Sequence, residues 1–142
     1  PMEKWCKEFV KSNKLNVEFK GFVPNAEVLK IVANSKALVL PTQWYEGFPM
    51  SIVEAFSVGT PVICSDLGNA GSIVDDGING IKFQYNSSKD IVAAINRFQK
   101  IDEKKIEENA RLKSNEKFDS DINYKIIENI YNSVKKRLFA GY

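Results

Sequence analysis

The sequence predicts an α/β domain, a Rossmann-like parallel sheet flanked by helices, with its first strand expected to be missing. Extended and helical periodicities alternate along the chain, the pattern of a parallel sheet with crossover helices. Glycine-bearing loops at Pro41–Pro49 and Gly68–Gly71 each follow a short apolar run, the position where open α/β sheets bind ligands. The length of 142 residues suits one domain, spanning 1–142, on the usual scale of ~100–200 residues.

The elements follow in order. Trp5, Cys6, Phe9 and Val10 share one face of a helix that ends near Asn13 to Leu15, so the chain opens mid-fold. Val17 to Lys20 is expected as a strand stopped by Gly21, with Phe22-Val23-Pro24 as a loop. Asn25 is expected to cap a helix that turns Val28, Leu29, Ile31 and Val32 inward. Ala37 to Leu40 is a buried strand, and Pro41 to Pro49 (PTQWYEGFP) is a loop too rich in Gly and Pro for regular structure. A helix over Met50 to Val58 leads through Gly59-Thr60-Pro61 to a strand at Val62–Ser65. Gly68 to Gly71 is expected as a loop entering a short helix through Ile73 and Val74. Asp75-Asp76 ahead of Gly77 suits a turn better than a metal site, and Asn79-Gly80 is a second turn dipeptide before the strand Ile81–Phe83. Ser87 and Asp90 have capping-box spacing ahead of Ile91, Val92, Ile95 and Phe98. Residues 102–117 form an exposed helix with Ile106 and Ala110 inward. The last helix carries Ile122, Ile126, Ile127, Ile130, Val134 and Leu138 on one stripe. It ends in Lys135-Lys136-Arg137, which suits a solvated helix C-terminus and also a membrane surface or partner domain.

Composition narrows the chemistry. The chain has no histidine, which removes a Ser-His-Asp triad, a Cys-His pair, an H-E-x-x-H zinc site and any histidine base from these residues. Twenty basic and eighteen acidic side chains are interleaved, so no nucleic-acid partner is expected. Cys6 and Cys64 lie far apart without metal-binding spacing and read as reduced thiols, which points to the cytoplasm. No apolar run approaches a membrane span and no signal peptide opens the chain.

One constellation carries a functional signal. In Glu46-Gly47-Phe48-Pro49-Met50-Ser51-Ile52-Val53-Glu54, Pro49 fits the first helical position, where its missing N–H costs nothing. Met50 and Ser51 then expose free backbone amides at a helix N-terminus, which suits phosphate. Gly47 lets backbone approach a ligand. Glu54 lies one turn inside the helix, where its two acceptor oxygens match a vicinal diol, and Glu46 reaches another part of the same ligand. Such a start, with an acidic residue one turn in, also suits an ordinary exposed helix, and local features leave both readings open. Trp44 and Tyr45 either face the ligand or pack against the loop.

Over a wider span the sequence resembles the C-terminal domain of retaining glycosyltransferases of the GT-B fold, in the large family-four group. The likeness runs from about Asn16 to Ile95 and rests on VEFK, GFVPNAEVLKIVANSKALVLPTQWYEGFPMSIVEAFSVGTPVICSD and DDGINGIKF. Glu46 and Glu54 fall on that family's two-glutamate motif with seven residues between, and Ala55 to Val62 on its following Gly-x-Pro-Val segment.

The resemblance implies transfer of a sugar from a nucleoside-diphosphate sugar, most often a UDP-sugar, to an acceptor hydroxyl. Configuration at the anomeric carbon would be retained, with no metal and no further cofactor. Glu54 would hold the ribose hydroxyls and Glu46 would contact the donor sugar as the catalytic-site carboxylate. Gly47, Phe48, Pro49, Met50 and Ser51 would line sugar and diphosphate, and Gly21, Phe22 and Val23 would form the wall for the base. The family's Arg/Lys clamp on the diphosphate and its acceptor-binding N-terminal domain would lie upstream of Pro1. The family's usual glutamate is replaced by Ser72. The chain is thus expected to be the donor-binding half of a longer enzyme, inactive alone, with a sheet edge free to self-associate. Bacterial polysaccharide synthesis at the inner face of the membrane is the setting this suggests. A non-catalytic nucleotide-binding module and a GT-B-type epimerase remain the alternatives.

Overall fold

The computed structural model describes residues 2–139, with side chains described as far as residue 135. Three strands, β1 (Leu38–Leu40), β2 (Val62–Ser65) and β3 (Gly80–Phe83), form a parallel sheet in the order β1-β2-β3. Leu38 pairs with Val62 and Val62 with Gly80, so all three strands end on the same side. Parallel neighbours need crossovers. These are α3 (Met50–Ser57) between β1 and β2, and α4 (Gly68–Ile73) with the turn after it between β2 and β3.

Side-chain alternation along β2 divides the core. Val62 and Cys64 pack with Ile52, Ala55 and Phe56 of α3, Ala70 of α4 and Ala110 of α6 (Glu103–Lys117). Ile63 points to the opposite face, joining Ile81, Phe83 and Ala94 under α5 (Ser88–Phe98). Phe56 and Ile52 are wholly buried, each contributing roughly 1.5–3 kcal/mol by leaving water. The foot of α3 is closed by a Schellman arrangement: Thr60 N–H donates to Ala55 O (2.8 Å) and Gly59 N–H to Phe56 O (2.9 Å), with Gly59 at φ +81°. Arg111 of α6 adds its guanidinium to Val58 O at 2.9 Å, a cation on a helix C-terminus. These contacts fix one end of α3 and direct its other end at the carboxyl ends of the strands.

Several expectations need correction. Val17 to Lys20 is not a strand. Its alternating residues Val17 and Phe19 are exposed, and it has no ladder partner among the described residues, without which an extended segment gains no sheet hydrogen bonds. Helix α1 (Met2–Ser12) forms as expected, and on the shared face Trp5 and Phe9 stack on each other at 5.4 Å in solvent. β1 is an edge strand with Val39 42% exposed, so the buried strand expected there is open along one side. In α2 (Asn25–Ala33) Val28, Leu29 and Val32 are half-buried while Ile31 is exposed. The segment Gly68–Gly71, expected as a loop, is already helical in α4. Gly71 is tightly held there, since a Cβ would sit 3.1 Å from the backbone of Asp66.

The helix α6 buries Ile106 and Ala110 as expected, and Ser114 as well. The stripe on α7 (Ser120–Phe139) is exposed at Ile122, Ile126, Ile127, Ile130 and Val134. Leu138, Lys136 and Arg137 of that stripe and cluster fall outside the described side chains. Among the described residues no helix is long and apolar enough to cross a membrane.

Candidate functional site

The site begins with the head of α3. Pro49 is buried and stands at the N-cap (φ −76°, ψ 89°), one place earlier than expected. Its carbonyl accepts from Ile52 N–H at 3.0 Å. The amides of Met50 and Ser51 precede the first helical hydrogen bond and have no partner among the described residues. They are two free donors at the positive end of a helix.

One carboxylate precedes this head in the chain and one follows it. Glu54, half-buried one turn into α3, accepts a hydrogen bond from Asn25 Nδ2 at 3.0 Å. Asn25 was expected to cap α2; it is instead the first helical residue after Pro24, and its side chain reaches across to Glu54. That contact joins the start of α2, which follows the Gly21–Val23 segment, to α3. Gly21 turns the chain at φ +64°, Phe22 is fully exposed and Val23 is half-buried. Glu46 is held from its own loop by the buried Thr42, whose hydroxyl donates to Glu46 Oε1 at 3.1 Å. It borders a crevice of about 300 Å³ that Pro41 and Trp44 also line.

The loop carrying Glu46 is tied to the next crossover. Asn69 Nδ2 of α4 donates to Glu46 O at 3.2 Å and to Gly47 O. Tyr45 lies over Gly68, where a Cβ would come within 2.9 Å of its ring. Tyr45 thus packs locally at one edge while its ring stays largely in solvent, and Trp44 is also exposed. Gly47 has open space where a Cβ would stand, so its side of the loop faces outward. Phe48 makes an edge contact with Phe118 at 6.1 Å and remains about half exposed.

Gly47, Pro49, Met50, Ser51 and Glu54 thus belong to α3 and the loop that enters it, Glu46 is held within that loop by Thr42, and Gly21–Val23 only precede α2, whose Asn25 reaches Glu54. Phe48 is partly committed to Phe118, the residue that follows α6. Asn25, Thr42 and Asn69 are site residues that reading the sequence missed. Thr42, four residues before Glu46, was the most accessible of these, because a buried hydroxyl beside an acid needs a partner.

Nearby charged groups are occupied structurally. The Lys113 ammonium, 2.7 Å from Asp75, lowers that carboxyl below its ordinary value, and Asn79 also donates to it. Asp76 pairs with Arg97 at 2.9 Å and accepts from Lys82 N–H. Lys82 is half-buried and bridges Asp66 (3.3 Å) and Gly71 O (3.3 Å). Burial pushes the Cys64 thiol up to about 12, an inert group whose sulfur lies 3.5 Å from Ala70 O. Among the described residues no three His, Cys, Asp or Glu side chains cluster to hold a metal ion.

Comparison with known proteins matches the chain to a family. The family model described as glycosyl transferases group 1 covers residues 1–117, and the chain belongs to that family. A glycosyltransferase, designated MJ1178, from Methanocaldococcus jannaschii is 35% identical over 82 residues. An uncharacterised 41.2 kDa protein in the cps region of Klebsiella pneumoniae is 30% identical over 84 residues. These alignments take in 58% and 59% of the chain, and the chain covers 23% of each of these relatives.

Solved structures agree on the fold. A glycosyltransferase from Rickettsia africae superposes with TM-score 0.80 at 21% identity, over 94% of this chain and 36% of that one. The C-terminal domain of a group 1 glycosyl transferase from Francisella tularensis gives 0.72 at 24% identity, over 84% and 63%. The Anabaena protein HepE, solved with UDP and glucose, gives 0.75 at 26% identity, over 92% and 37%. The fold is that of the C-terminal half of GT-B glycosyltransferases.

Proposed function

We propose that this chain is the donor-binding half of a retaining glycosyltransferase that takes its sugar from a UDP-sugar and delivers it to an acceptor hydroxyl. The observation that carries the reading is the head of α3, where two free amides stand along the chain between Glu46, bonded by Thr42, and Glu54, bonded by Asn25. Glu54 accepts from the ribose hydroxyls, and Asn25 fixes its orientation. The Met50 and Ser51 amides receive the diphosphate and stabilise the charge that develops as the nucleoside diphosphate departs, the main source of catalysis in this chemistry. Glu46 contacts the hydroxyls of the donor sugar from the crevice beside Trp44. Gly47 and Pro49 shape the floor, Phe48 closes one side, and Gly21–Val23 form the wall for the base.

UDP is favoured because HepE, at 26–27% identity, has been solved with UDP and with UDP-glucose. Bacterial polysaccharide synthesis is the proposed setting, supported by the likeness to the cps-region protein and to a putative colanic acid glycosyltransferase from Salmonella typhimurium. The acceptor-binding domain and the cationic clamp on the diphosphate are proposed to belong to the rest of a longer, cytoplasmic enzyme working at the inner face of the membrane. This half alone is proposed to be inactive.

Thermal shift against UDP, GDP and ADP tests the reading. UDP at about 100 times its dissociation constant should add roughly 2.7 kcal/mol of stability. Equal response to all three, or to none, would overturn the UDP assignment.

A further inference from the structure

Across the Pro41–Gln43 segment from Glu46 lies a second crevice, of about 280 Å³, that the donor reading does not use. Its floor is Ser65, the last residue of β2, and one wall is Phe83. Its far rim is Asn86, Ser87 and Ser88, where α5 begins. No acidic side chain lines it.

Two independent features point to a ligand. The first is the head of α5, an 11-residue helix. Ser87 caps it, its hydroxyl accepting from Asp90 N–H at 3.2 Å, and the amides of Ser88 and Lys89 have no partner among the described residues. The second is Ser65 itself. It is 1% exposed, and its hydroxyl has no hydrogen-bond partner among the described residues. Alternation along β2 turns it to the α5 face, the same side as Ile63, and so toward the crevice. A buried hydroxyl without a partner is costly unless something accepts from it.

We propose that this crevice is a second oxyanion subsite, which takes the tetrahedral phosphate of a phosphate monoester or of free phosphate. The amides of Ser88 and Lys89 and the hydroxyls of Ser65 and Ser88 all donate, and the helix dipole favours the negative charge. The adjacent donor crevice shares Pro41 and Gln43 with it, so a phosphate held here stands beside the proposed sugar site. That position suits a phosphorylated acceptor or a released product. The subsite does not depend on the donor reading, since none of its donors belongs to α3.

Two substitutions separate the subsite from a merely structural crevice. Ser88→Pro removes both Ser88 donors, amide and hydroxyl, at the first helical position, where proline is tolerated, and Ser87 (ψ 103°) already has the backbone that precedes proline. Ser65→Ala removes the buried hydroxyl and should leave the fold at least as stable. In amide NMR titrations, inorganic phosphate and glycerol phosphate should shift the Ser88 and Lys89 resonances, saturating in the range of about 1–10 mM or below. Each variant, read at the Lys89 amide because a proline at 88 has no N–H resonance, should weaken that response about tenfold or more, as expected for a hydrogen bond to a charged group. Tighter binding of glycerol phosphate supports an esterified ligand, and tighter binding of inorganic phosphate supports the free ion. Phosphate that shifts only Met50 and Ser51, phosphate that shifts neither helix head, or wild-type affinity in either variant would overturn the subsite. UDP shifts at Met50 and Ser51 report on the donor site separately.

Discussion

Glu54→Gln isolates the carboxylate that the donor reading depends on most. The substitution keeps length and shape, and the glutamine carbonyl can still accept from Asn25 at the 3.0 Å that Glu54 does. What changes is the other terminal atom, which becomes a donor and cannot accept from a ribose hydroxyl. A hydrogen bond to a charged group contributes about 1.5–3 kcal/mol, so losing one or two of them should cost about 2–4 kcal/mol of nucleotide affinity. That corresponds to roughly 30- to 1,000-fold in dissociation constant. Fold stability should move by no more than about 0.5 kcal/mol, because Glu54 is half-buried, outside the core, and keeps its Asn25 contact. Isothermal titration with UDP, alongside thermal unfolding of the unliganded protein, reads both quantities. Unchanged UDP affinity in a folded Glu54→Gln protein would refute the ribose role.

Other consequences follow from the same geometry. Lys113 lowers the Asp75 carboxyl, so the folded protein holds a proton there less readily than the unfolded chain. The resulting stability is present above the unfolded value of about 3.9 and is lost as pH falls through the lower folded one. Because the pair is partly exposed, Asp75→Asn should cost no more than about 1 kcal/mol at neutral pH and nothing once both states are protonated, as acid-unfolding curves by circular dichroism would register. Iodoacetamide at pH 8 should label Cys6 rapidly and Cys64 only on unfolding, since Cys64 is buried with its thiol raised to about 12; mass spectrometry locates the label. We propose that the open edge at β1 lets the chain self-associate, and Val39→Lys should lower its sedimentation coefficient toward that of a monomer. An identical sedimentation profile in the variant would count against the edge.

The sequence carried the fold further than it carried the site's supports. Strands such as Val62–Ser65 and helices such as Met50–Ser57 were legible because their apolar runs, turn residues and caps are local signals. The Ser87 cap on Asp90 is the clearest instance. Val17–Lys20 failed as a strand because strandedness depends on a partner, and alternation alone does not supply one. Val39 and the α7 stripe were apolar in pattern yet exposed, since periodicity marks a face without saying what covers it.

At the site, Glu46 and Glu54 stood out by type and spacing. Their holders did not: Asn25 lies 29 residues from Glu54, and Asn69 lies 23 from Glu46, contacts that exist only after the crossovers fold. Ser65 was likewise invisible as a candidate, because a lone serine ending a strand acquires meaning only when its hydroxyl proves buried without a partner.

A crystal structure of the protein with UDP tests the central claim most directly. The expected complex has the diphosphate on the Met50 and Ser51 amides, the ribose hydroxyls on Glu54, and the uracil against Gly21–Val23. UDP seated elsewhere, for instance in the apolar groove between Val39 and Ile95, or a diphosphate turned away from the head of α3, would contradict it.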